Sequence, residues 1–397
     1  MTAALSARLL AAAPGPRPAG VDVRAAVAGA GLVGRGGGGF PTARKLAAVT
    51  GGRRRPVVVA NGAEGEPLSR KDATLLAAAP DLVLDGMVLA AQAVGARRAY
   101  LCVHRPAPAL AGALAAHDLG GVRVELVGTP DRYVAGEESA LVRLVSGGPA
   151  LPTSRPPRPD QRGVRGAPTV VLNVETLAGV ALAARLGPAA YRSVGDPAEP
   201  GTLLVTVAGA VPAPGVVEVP TGTPVGAALA LAGAGPEQVG AVLTGGYGGA
   251  WLPAGGVDAP LTYAGLRAAG GVLGPGILAV LPPGACGLAE TVRVARYLAA
   301  QSAGQCGPCL FGLPDIAAGL AAAVAGGPDA PAALDAVRRW TAAVAGRGAC
   351  RHPDGAARLV GSALRVFADD LTRHVLGRPC AGAHAAPVLV PSTVDKD

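Results

Sequence analysis

Aromatic side chains are scarce in this chain. Phe, Trp and Tyr make up 3% of its 397 residues, whereas hydrophobic residues make up 50%. Proteins that bind single-stranded nucleic acid combine basic residues with aromatic platforms on which bases stack. The net charge of +8 therefore does not indicate nucleic-acid binding. An anionic cofactor or an acidic protein partner explains the charge better.

The sequence also lacks long apolar runs. No uninterrupted apolar run reaches the roughly 18–20 residues that a membrane-spanning helix needs, although the mean hydropathy is +0.39. The most apolar candidate, 81–95, is interrupted by Asp and Gly and is typical of a buried helix. Arg8 interrupts the apolar N-terminal stretch, so a cleaved signal peptide is not expected. We expect a cytoplasmic protein that does not itself span a membrane.

Cysteines are few, and six of them spread over this length do not indicate a disulfide framework. Two of them, Cys306 and Cys309, are separated only by Gly and Pro. Cys-Gly-Pro-Cys is the redox quartet of thioredoxins, but that motif follows a strand, whereas here a helix is expected over 286–302. A zinc site that recruits Cys350 and His352 is a second interpretation, and an iron–sulfur motif is a third.

Glycine, in contrast, is abundant, with 60 residues, and glycine motifs count for less in such a chain. The stretch GLVGRGGGGFPTARK (31–45) nevertheless combines a glycine-rich turn with Arg35, Lys45 and a predicted helix start near Pro41. Backbone amides of such a turn bind phosphate oxygens. The stretch matches neither the dinucleotide fingerprint nor the Walker motif, so a surface loop remains the alternative.

Three further loops carry polar residues next to apolar runs: NGAEGEP (61–67), YVAGEESAL (133–141) and LNVETL (172–177). The first follows a predicted strand, and ligands collect at strand ends in open α/β sheets. Burying such groups without partners is costly. We therefore predict that these loops and the glycine loop converge on one pocket; solvated surface carboxylates are the alternative interpretation.

The chain is predicted to be an α/β protein with three domains. Strands and helices alternate over 1–200, which predicts a parallel sheet covered on both faces. Residues 201–282 indicate a small α+β module, and 283–378 contain four amphipathic helical stretches that predict a four-helix bundle. Residues 379–397 are predicted to form a flexible tail.

Six motifs together resemble those of a known flavoprotein family, in the same order and over residues 20–378. They are GRGGGGFPTARK, NGAEGEP, YVAGEESALV, PTVVLNVETLAGV, QSAGQCGPCLFGLPDI and ACRHPDGAARLVGSALRVF. The family is the FMN- and NADH-binding subunit of respiratory NADH:quinone oxidoreductase (complex I), with its relatives in NAD-linked hydrogenases and formate dehydrogenases. The chain resembles a divergent paralogue of it.

The resemblance implies a Rossmann-like FMN-binding domain, a small β-grasp (SLBB) module and a helical bundle that holds an iron–sulfur cluster. Hydride would pass from the nicotinamide to FMN, and single electrons would then reach the cluster. Glu64 and Glu138 would be the catalytic carboxylates. The implied cofactor-binding residues are Gly34, Arg35, Gly36, Gly37, Gly39, Phe40, Lys45, Asn61, Glu66, Gly136, Glu137, Arg155 and Asn173.

The chain departs from the family pattern at the cluster. The family has four cysteines, but Ala303 stands at the first position, while Cys306, Cys309 and Cys350 match the other three. The expected metal ligands are these three thiolates, in a [4Fe–4S] or a [3Fe–4S] cluster. Water, Ser302, His352 or Cys380 could serve a fourth iron. Cys102 is expected to be a core thiol, and Cys286 matches no family ligand.

The substrate loops depart as well. Ala63 replaces an acidic residue, while Arg158 and Ala48 replace aromatic residues that stack on the nucleotide in the family. Arg155 and Arg158 could instead contact the 2′-phosphate of NADPH. The resemblance implies an NAD(P)H-oxidising dehydrogenase that passes electrons to a partner iron–sulfur or ferredoxin-like protein, in a multisubunit oxidoreductase at the inner membrane face. The alternatives are an electron carrier that binds no nicotinamide and a structural subunit without cofactors.

Overall fold

The computed structural model describes residues 8–10, 15–52 and 54–390. The chain divides into two compact units. The first comprises residues up to 65, 70–205 and 216–223; the second comprises 66–69, 206–215 and 224 onward. The division into a Rossmann-like domain, a β-grasp module, a bundle and a tail at residues 200, 282 and 378 stays a prediction.

The first unit contains a four-stranded parallel sheet in the order β3-β2-β1-β4. Its strands are β1 (Val57–Gly62), β2 (Arg98–Val103), β3 (Arg123–Gly128) and β4 (Thr169–Asn173). Strands β1 and β4 are buried nearly throughout, as expected for central strands of a parallel sheet, which are apolar on both faces. The β-branched runs at 57–59 and 169–171 supply these strands.

Helices cover both faces of this sheet. They are α1 (Val23–Ala30), α2 (Thr42–Ala48), α3 (Lys71–Ala78), α4 (Pro80–Val94), α5 (Pro108–Ala116), α6 (Glu138–Val145) and α7 (Val174–Arg192). Alternate strand residues enter different cores: Val58 packs with α4 and α7 residues, whereas Val59 packs with Leu141 of α6. The predicted parallel sheet with two covered faces is therefore confirmed.

A second sheet has five strands in the order β6-β5-β9-β7-β8. The strands are β5 (Thr202–Gly209), β6 (Gly215–Pro220), β7 (Ala241–Thr244), β8 (Ala250–Pro253) and β9 (Ile277–Leu281), and the short helices α8 (Val225–Ala230) and α9 (Tyr263–Ala268) lie between them. Strand β9 is parallel to β5 and antiparallel to β7. The prediction of a separate small α+β module at 201–282 stays a prediction.

The helical region contains α10 (Gly287–Ala300), α11 (Leu313–Ala325), α12 (Ala330–Val344), α13 (His352–Val366) and α14 (Ala368–Val375). The prediction of four helices was wrong by one, because the last stretch breaks at Phe367, whose φ of −109° and ψ of 34° are not helical. The Phe367 ring packs edge-on against Trp251 at 5.1 Å and occupies the space beside Gly287, where a Cβ would lie 2.1 Å from it. This packing interrupts a helical pattern that the sequence continues.

A π-helical turn (Pro308–Gly312) leads into α11. Residues Pro308–Ala325 are long and apolar enough to cross a membrane by length and composition, and the bent pair α3–α4 passes the same test if taken as one span. Core helices of globular proteins share this composition. The apolar residues of α11 that are buried, Ile316 and Leu320 among them, pack within the helical region.

The segment expected to be a flexible tail is described as far as residue 390. It contains a 3-10 turn (Ala381–His384) and a buried Leu389. The backbone N–H groups of Val388 and Leu389 donate to the carboxylate of Glu290 in α10, at 2.8 and 3.3 Å. Residues 379–390 thus pack against the second unit's own helices.

Candidate functional site

Two asparagines meet at the carboxyl ends of β1 and β4. Asn61 and Asn173 are register partners, and the Asn173 side-chain amide donates to the Asn61 carbonyl at 3.1 Å. The Asn61 amide donates in turn to the carbonyl of Gly136 at 2.9 Å. Asn173 also caps α7 by accepting from the Glu175 N–H. The strand ends are thereby tied to the loop before α6, at the edge where ligands of open α/β sheets bind.

The loops at this edge approach each other through bare backbone. A Cβ on Gly65 would lie 2.1 Å from the carbonyl oxygen of Tyr133, and a Cβ on Gly136 would lie 2.4 Å from that of Ala63. Only glycine fits at both positions, because carbon and oxygen atoms do not approach so closely. The predicted convergence of 61–65 and 133–136 therefore exists in the structure.

The glycine loop lies against the same edge. Val33 and Pro41 form a β-bridge, and the Gly34 N–H donates to the Phe40 carbonyl at 2.9 Å, which closes the loop at its base. A Cβ on Gly36 would contact the Asn173 side chain at 3.3 Å. Gly37 and Gly39 have φ of 104° and 59°, a backbone region that glycine enters without strain.

The Arg35 side chain does not point toward a phosphate site, contrary to the prediction from the sequence. Its side chain is buried, and its guanidinium donates to the Thr202 carbonyl at 3.1 Å and lies 4.0 Å from the Glu175 carboxylate. Its backbone N–H donates to the Thr176 hydroxyl. The guanidinium charge is therefore balanced inside the unit, next to a carboxylate that the sequence analysis left without a role.

A buried ionic cluster supports Asn173 from behind. The Lys71 ammonium lies 2.6 Å from Asp72 and 2.9 Å from Glu175, and it donates to the Asn173 side-chain carbonyl at 3.1 Å. Burial disfavours the charge on Lys71, but the carboxylates of Asp72 and Glu175 outweigh burial and raise its pKa. Burial raises the pKa of Asp72 to about 7, against the attraction of Lys71. Such a hydrogen-bonded ionic cluster fixes the orientation of the Asn173 side chain.

Acidic and basic side chains form a second, half-exposed cluster at the start of α6. Glu137 caps this helix by accepting from the N–H groups of Ser139 and Ala140. Arg155 pairs with Glu137 at 2.6 Å and with Glu138 at 3.2 Å. Lys45 pairs with Glu138 at 3.1 Å and donates to the Val171 carbonyl. Four residues predicted from the sequence are thus brought together.

The ends of β2 and β3 add residues that the sequence analysis missed. The carbonyl of Glu64 lies 2.8 Å from His104 Nε2, and since a carbonyl only accepts, Nε2 carries the proton. His104 Nδ1 lies 3.0 Å from the Thr129 hydroxyl, at hydrogen-bond distance. The Glu64 carboxylate accepts from the Ala73 N–H in α3. The backbone of the 61–65 loop is therefore fixed through a histidine that follows β2.

Three residues singled out from the sequence lie in other settings. Glu66 belongs to the second unit, where its carboxylate accepts from the N–H groups of Tyr247 and Gly248 at 2.8 and 3.1 Å. Phe40 is 45% exposed, with the Arg44 guanidinium 5.4 Å from its ring centre. Arg158 is exposed, and its backbone N–H donates to the side chain of Gln161.

The three predicted iron ligands lie in the helical region. Cys306 and Cys350 are half-buried and Cys309 is buried. The π-helical turn places Cys309 and Leu310 so that both N–H groups donate to the Cys306 carbonyl; such turns are frequent at functional sites. Burial raises the pKa of Cys309 to about 12, helped by the neighbouring thiols of Cys306 and Cys350. Cys309 therefore lies near both of the other thiols.

The thioredoxin interpretation is wrong. The Cys306–Cys309 pair follows helix α10, whereas the thioredoxin motif follows a strand. His352 is buried and its Nε2 donates to the Leu298 carbonyl at 2.8 Å. Burial lowers the pKa of His352, so its imidazole is neutral. Cys102 is fully buried in the core next to the sheet.

Known proteins match this chain over most of its length. Residues 27–182 match the Nuo51 FMN-binding domain, and 289–374 match the iron–sulfur binding region of NADH-ubiquinone oxidoreductase F. The F subunit of the NADH-quinone oxidoreductase of Mycobacterium bovis is 33% identical over 94% of this chain and 89% of its own length. The F 2 subunit of the Rhizobium meliloti enzyme is 30% identical over 88% of this chain and 87% of its own length.

Solved structures agree. The NAD+-reducing [NiFe]-hydrogenase in its air-oxidised state is similar with a TM-score of 0.80 and 32% identity, over 90% of this chain. The chain spans 62% of the length of that hydrogenase chain. The α/β fold with a parallel sheet is shared with it. An FMN-binding domain and a 4Fe–4S binding region are both present, as the motifs imply.

Proposed function

Because the chain belongs to the family of NADH-quinone oxidoreductase F subunits, we propose that it is an NADH- or NADPH-oxidising electron-transfer flavoprotein. The observation that carries this proposal is the junction at the sheet edge. Hydrogen bonds join Asn61 to Gly136 and Asn173 to Asn61 there, and Gly36 of the glycine loop lies so close that a Cβ on it would be 3.3 Å from the Asn173 side chain. Four chain segments that are distant in sequence thus form one polar cradle.

The cradle fits FMN. A Cβ on Gly38 would have no atom within 4 Å, so the outer side of the glycine loop is open, and α2 starts without a capping side chain. We assign the phosphate and ribityl chain to residues 34–39 and to Lys45, and the ring system to the walls formed by Asn61, Asn173 and Gly136. When bound, FMN supplies hydride acceptance and the release of single electrons.

The half-exposed ionic cluster would meet the nicotinamide nucleotide. Arg155 is 39% exposed and pairs with two carboxylates, so it keeps N–H donors for a phosphate of the nucleotide. Glu138 and Glu64 would orient the nicotinamide beside the flavin. Arg35 is occupied by the contacts described above, so its part in the cradle is to position backbone rather than to touch the cofactor. Glu66 contacts residues of the second unit and is not assigned to the cradle.

The thiols of Cys306, Cys309 and Cys350 would hold the cluster as thiolates. The donor set fits iron, because sulfur ligands are those that iron–sulfur clusters take, and the short segment 306–309 that enters the π-helical turn carries two of them. Three thiolates leave one iron to a water or another side chain, or leave a [3Fe–4S] cluster. The partner would be an iron–sulfur or ferredoxin-like protein of a multisubunit oxidoreductase, at the inner face of the membrane.

A second function has its own support. Arg158 is exposed at the position where the family has an aromatic platform, and base stacking on such a platform is worth about 1–3 kcal/mol. Losing it weakens nucleotide binding. The second candidate is therefore an electron carrier that holds FMN and the cluster but receives its electrons from a protein.

Anaerobic spectra separate the two. We expect purified protein with flavin absorption and broad iron–sulfur absorption, and bleaching of both on addition of NADH or NADPH. Glu138→Gln is expected to slow the bleaching, whereas Glu237→Gln, in the exposed 3-10 turn Pro236–Gln238, serves as the control. Bound flavin that neither nucleotide bleaches would support the carrier, and protein that binds neither FMN nor iron after reconstitution would contradict both functions.

A further inference from the structure

We propose that Cys286, His374 and Cys380 bind one zinc ion, apart from the thiols assigned to iron. Their ligand atoms all lie within 4.8 Å of one another. Cys286 precedes α10, His374 is in the last turn of α14, and Cys380 lies in the segment that follows. Cys286 and Cys380 are outside the region matched to the iron–sulfur family, so the family assignment gives them no role.

The distances suit a tetrahedral zinc ion. Sγ of Cys286 lies 3.6 Å from Nε2 of His374, and that Nε2 lies 3.4 Å from Sγ of Cys380. Zinc bonds of about 2.3 Å to sulfur and about 2.05 Å to nitrogen, at a tetrahedral angle, separate S and N by about 3.6 Å. Both sulfur–nitrogen distances therefore already match the spacing that the ion requires, and the two sulfurs lie within 4.8 Å of each other.

The histidine is oriented as a metal ligand is. Its Nδ1 lies 2.6 Å from the carbonyl oxygen of Val324, and because a carbonyl only accepts, Nδ1 carries the proton. Nε2 then directs its lone pair toward the two sulfurs. A backbone carbonyl that holds the far nitrogen of a ligating histidine is the usual outer partner of zinc sites. The Cys380 N–H contacts Nε2 at 3.4 Å, a long contact that zinc would replace.

Charge and burial also favour a soft divalent ion. Cys286 and His374 are 2% and 1% exposed, among Leu288, Leu334 and Leu371. Zinc, two thiolates and a neutral imidazole sum to zero charge, and the two thiol protons leave to solvent. The Ala289 N–H donates to Cys286 Sγ at 3.3 Å, which stabilises the thiolate. Magnesium and calcium, which prefer oxygen ligands, do not fit this set.

The fourth coordination position would be taken by water, because Cys380 is only half-buried and opens that side of the site. The ion would join the start of α10, the end of α14 and the C-terminal segment. That segment continues to the buried Leu389 and to its contacts with Glu290. Zinc would therefore anchor residues 380–389 to the helical region.

Metal analysis of the full-length protein tests the proposal. Protein purified under reducing, anaerobic conditions and then supplied with zinc is expected to hold about one zinc per chain in addition to its iron. Cys286→Ser keeps a good helix-capping side chain, so we expect the fold to be preserved. The zinc affinity is expected to fall more than about 100-fold, which exceeds the loss caused by removing a hydrogen-bond partner of a ligand. Cys380→Ser is expected to do the same. The matched control, Cys306→Ser, is expected to lose iron and keep zinc.

Cobalt substitution supplies a second measurement, because thiolate ligation gives Co²⁺ an intense charge-transfer band that Cys286→Ser would abolish. Unchanged zinc content in Cys286→Ser would overturn the proposal. So would a result in which Cys306→Ser loses zinc while Cys286→Ser and Cys380→Ser keep it. A Cys286–Cys380 disulfide, recovered by mass spectrometry from protein kept reduced, would overturn it as well. So would thiols that both alkylate freely in the presence of excess zinc.

Discussion

Replacing Gly65 by alanine tests the cradle at its narrowest point. The new Cβ would lie 2.1 Å from the Tyr133 carbonyl oxygen, whereas ordinary contacts begin at 3.4 Å. One of the two loops must therefore move by about 1.3 Å, the difference between these distances. The obstacle is backbone on both sides, so no side-chain rotation relieves it.

The displacement has two measurable consequences. Overpacking of this kind costs about 1–3 kcal/mol of unfolding free energy. It also moves Gly136, whose carbonyl accepts the Asn61 side chain, and a loss of about 1.4 kcal/mol is tenfold in an equilibrium constant. We expect Gly65→Ala to weaken FMN binding at least about tenfold, measured as quenching of flavin fluorescence during titration of the apoprotein.

Gly112→Ala is the matched control, because a Cβ on Gly112 of α5 would meet no atom within 4 Å. Alanine is the better helix former by about 1 kcal/mol, so this variant is expected to unfold at the same or a higher temperature and to bind FMN as the original protein does. If Gly65→Ala binds FMN as tightly as Gly112→Ala does, the loops at 61–65 and 133–136 do not form the flavin site.

Asn173→Ala removes a hydrogen-bond donor to the buried Asp72. It is expected to lower the free energy of unfolding by about 1–3 kcal/mol and to weaken FMN binding. An unchanged melting temperature would show that the buried cluster does not depend on this amide. Arg158→Phe restores an aromatic platform and is expected to tighten NADH binding by about 1–3 kcal/mol, or about 5- to 150-fold. An unchanged NADH dissociation constant would show that the loop containing Arg158 is not part of the nucleotide site. In the apoprotein at pH 8, iodoacetamide is expected to modify Cys306 before Cys309, since burial raises the pKa of the Cys309 thiol to about 12; equal rates by mass spectrometry would contradict that burial.

The sheet could be predicted because its signal is local. Apolar β-branched runs such as 57–59 and 169–171 are buried on both faces, and that composition is typical of central parallel strands. The convergence of the segments that contain Asn61 and Asn173 could be predicted, since each residue ends such an apolar run. The register that pairs them follows from the fold.

Residues whose roles depend on distant partners could not be predicted. Lys71 gave only a weak signal, as a charge at the start of a helix, because its partners Glu175 and Asn173 are about a hundred residues away. His104 contacts Glu64 and Thr129, which belong to other strands' loops. Such contacts are set by strand order rather than by spacing along the chain.

Two expectations differed from the structure for physical reasons that the sequence hides. The helical pattern of the sequence continues through Phe367, but the Phe367 ring packs into the space beside Gly287 and the helix ends there. Arg35 belongs to a glycine loop, yet Glu175 and the Thr202 carbonyl hold its side chain inside. The sequence indicates that the Arg35 charge faces a ligand, whereas its counter-charge, Glu175, lies in the interior of the unit.

Electron paramagnetic resonance of the anaerobic protein tests the central claim most directly. After reduction with whichever of NADH and NADPH bleaches the flavin, we predict the signal of an iron–sulfur cluster in the original protein. Cys306→Ser is predicted to lose that signal while its flavin still bleaches. A cluster signal that persists in Cys306→Ser, or protein that takes up no FMN, would contradict the account.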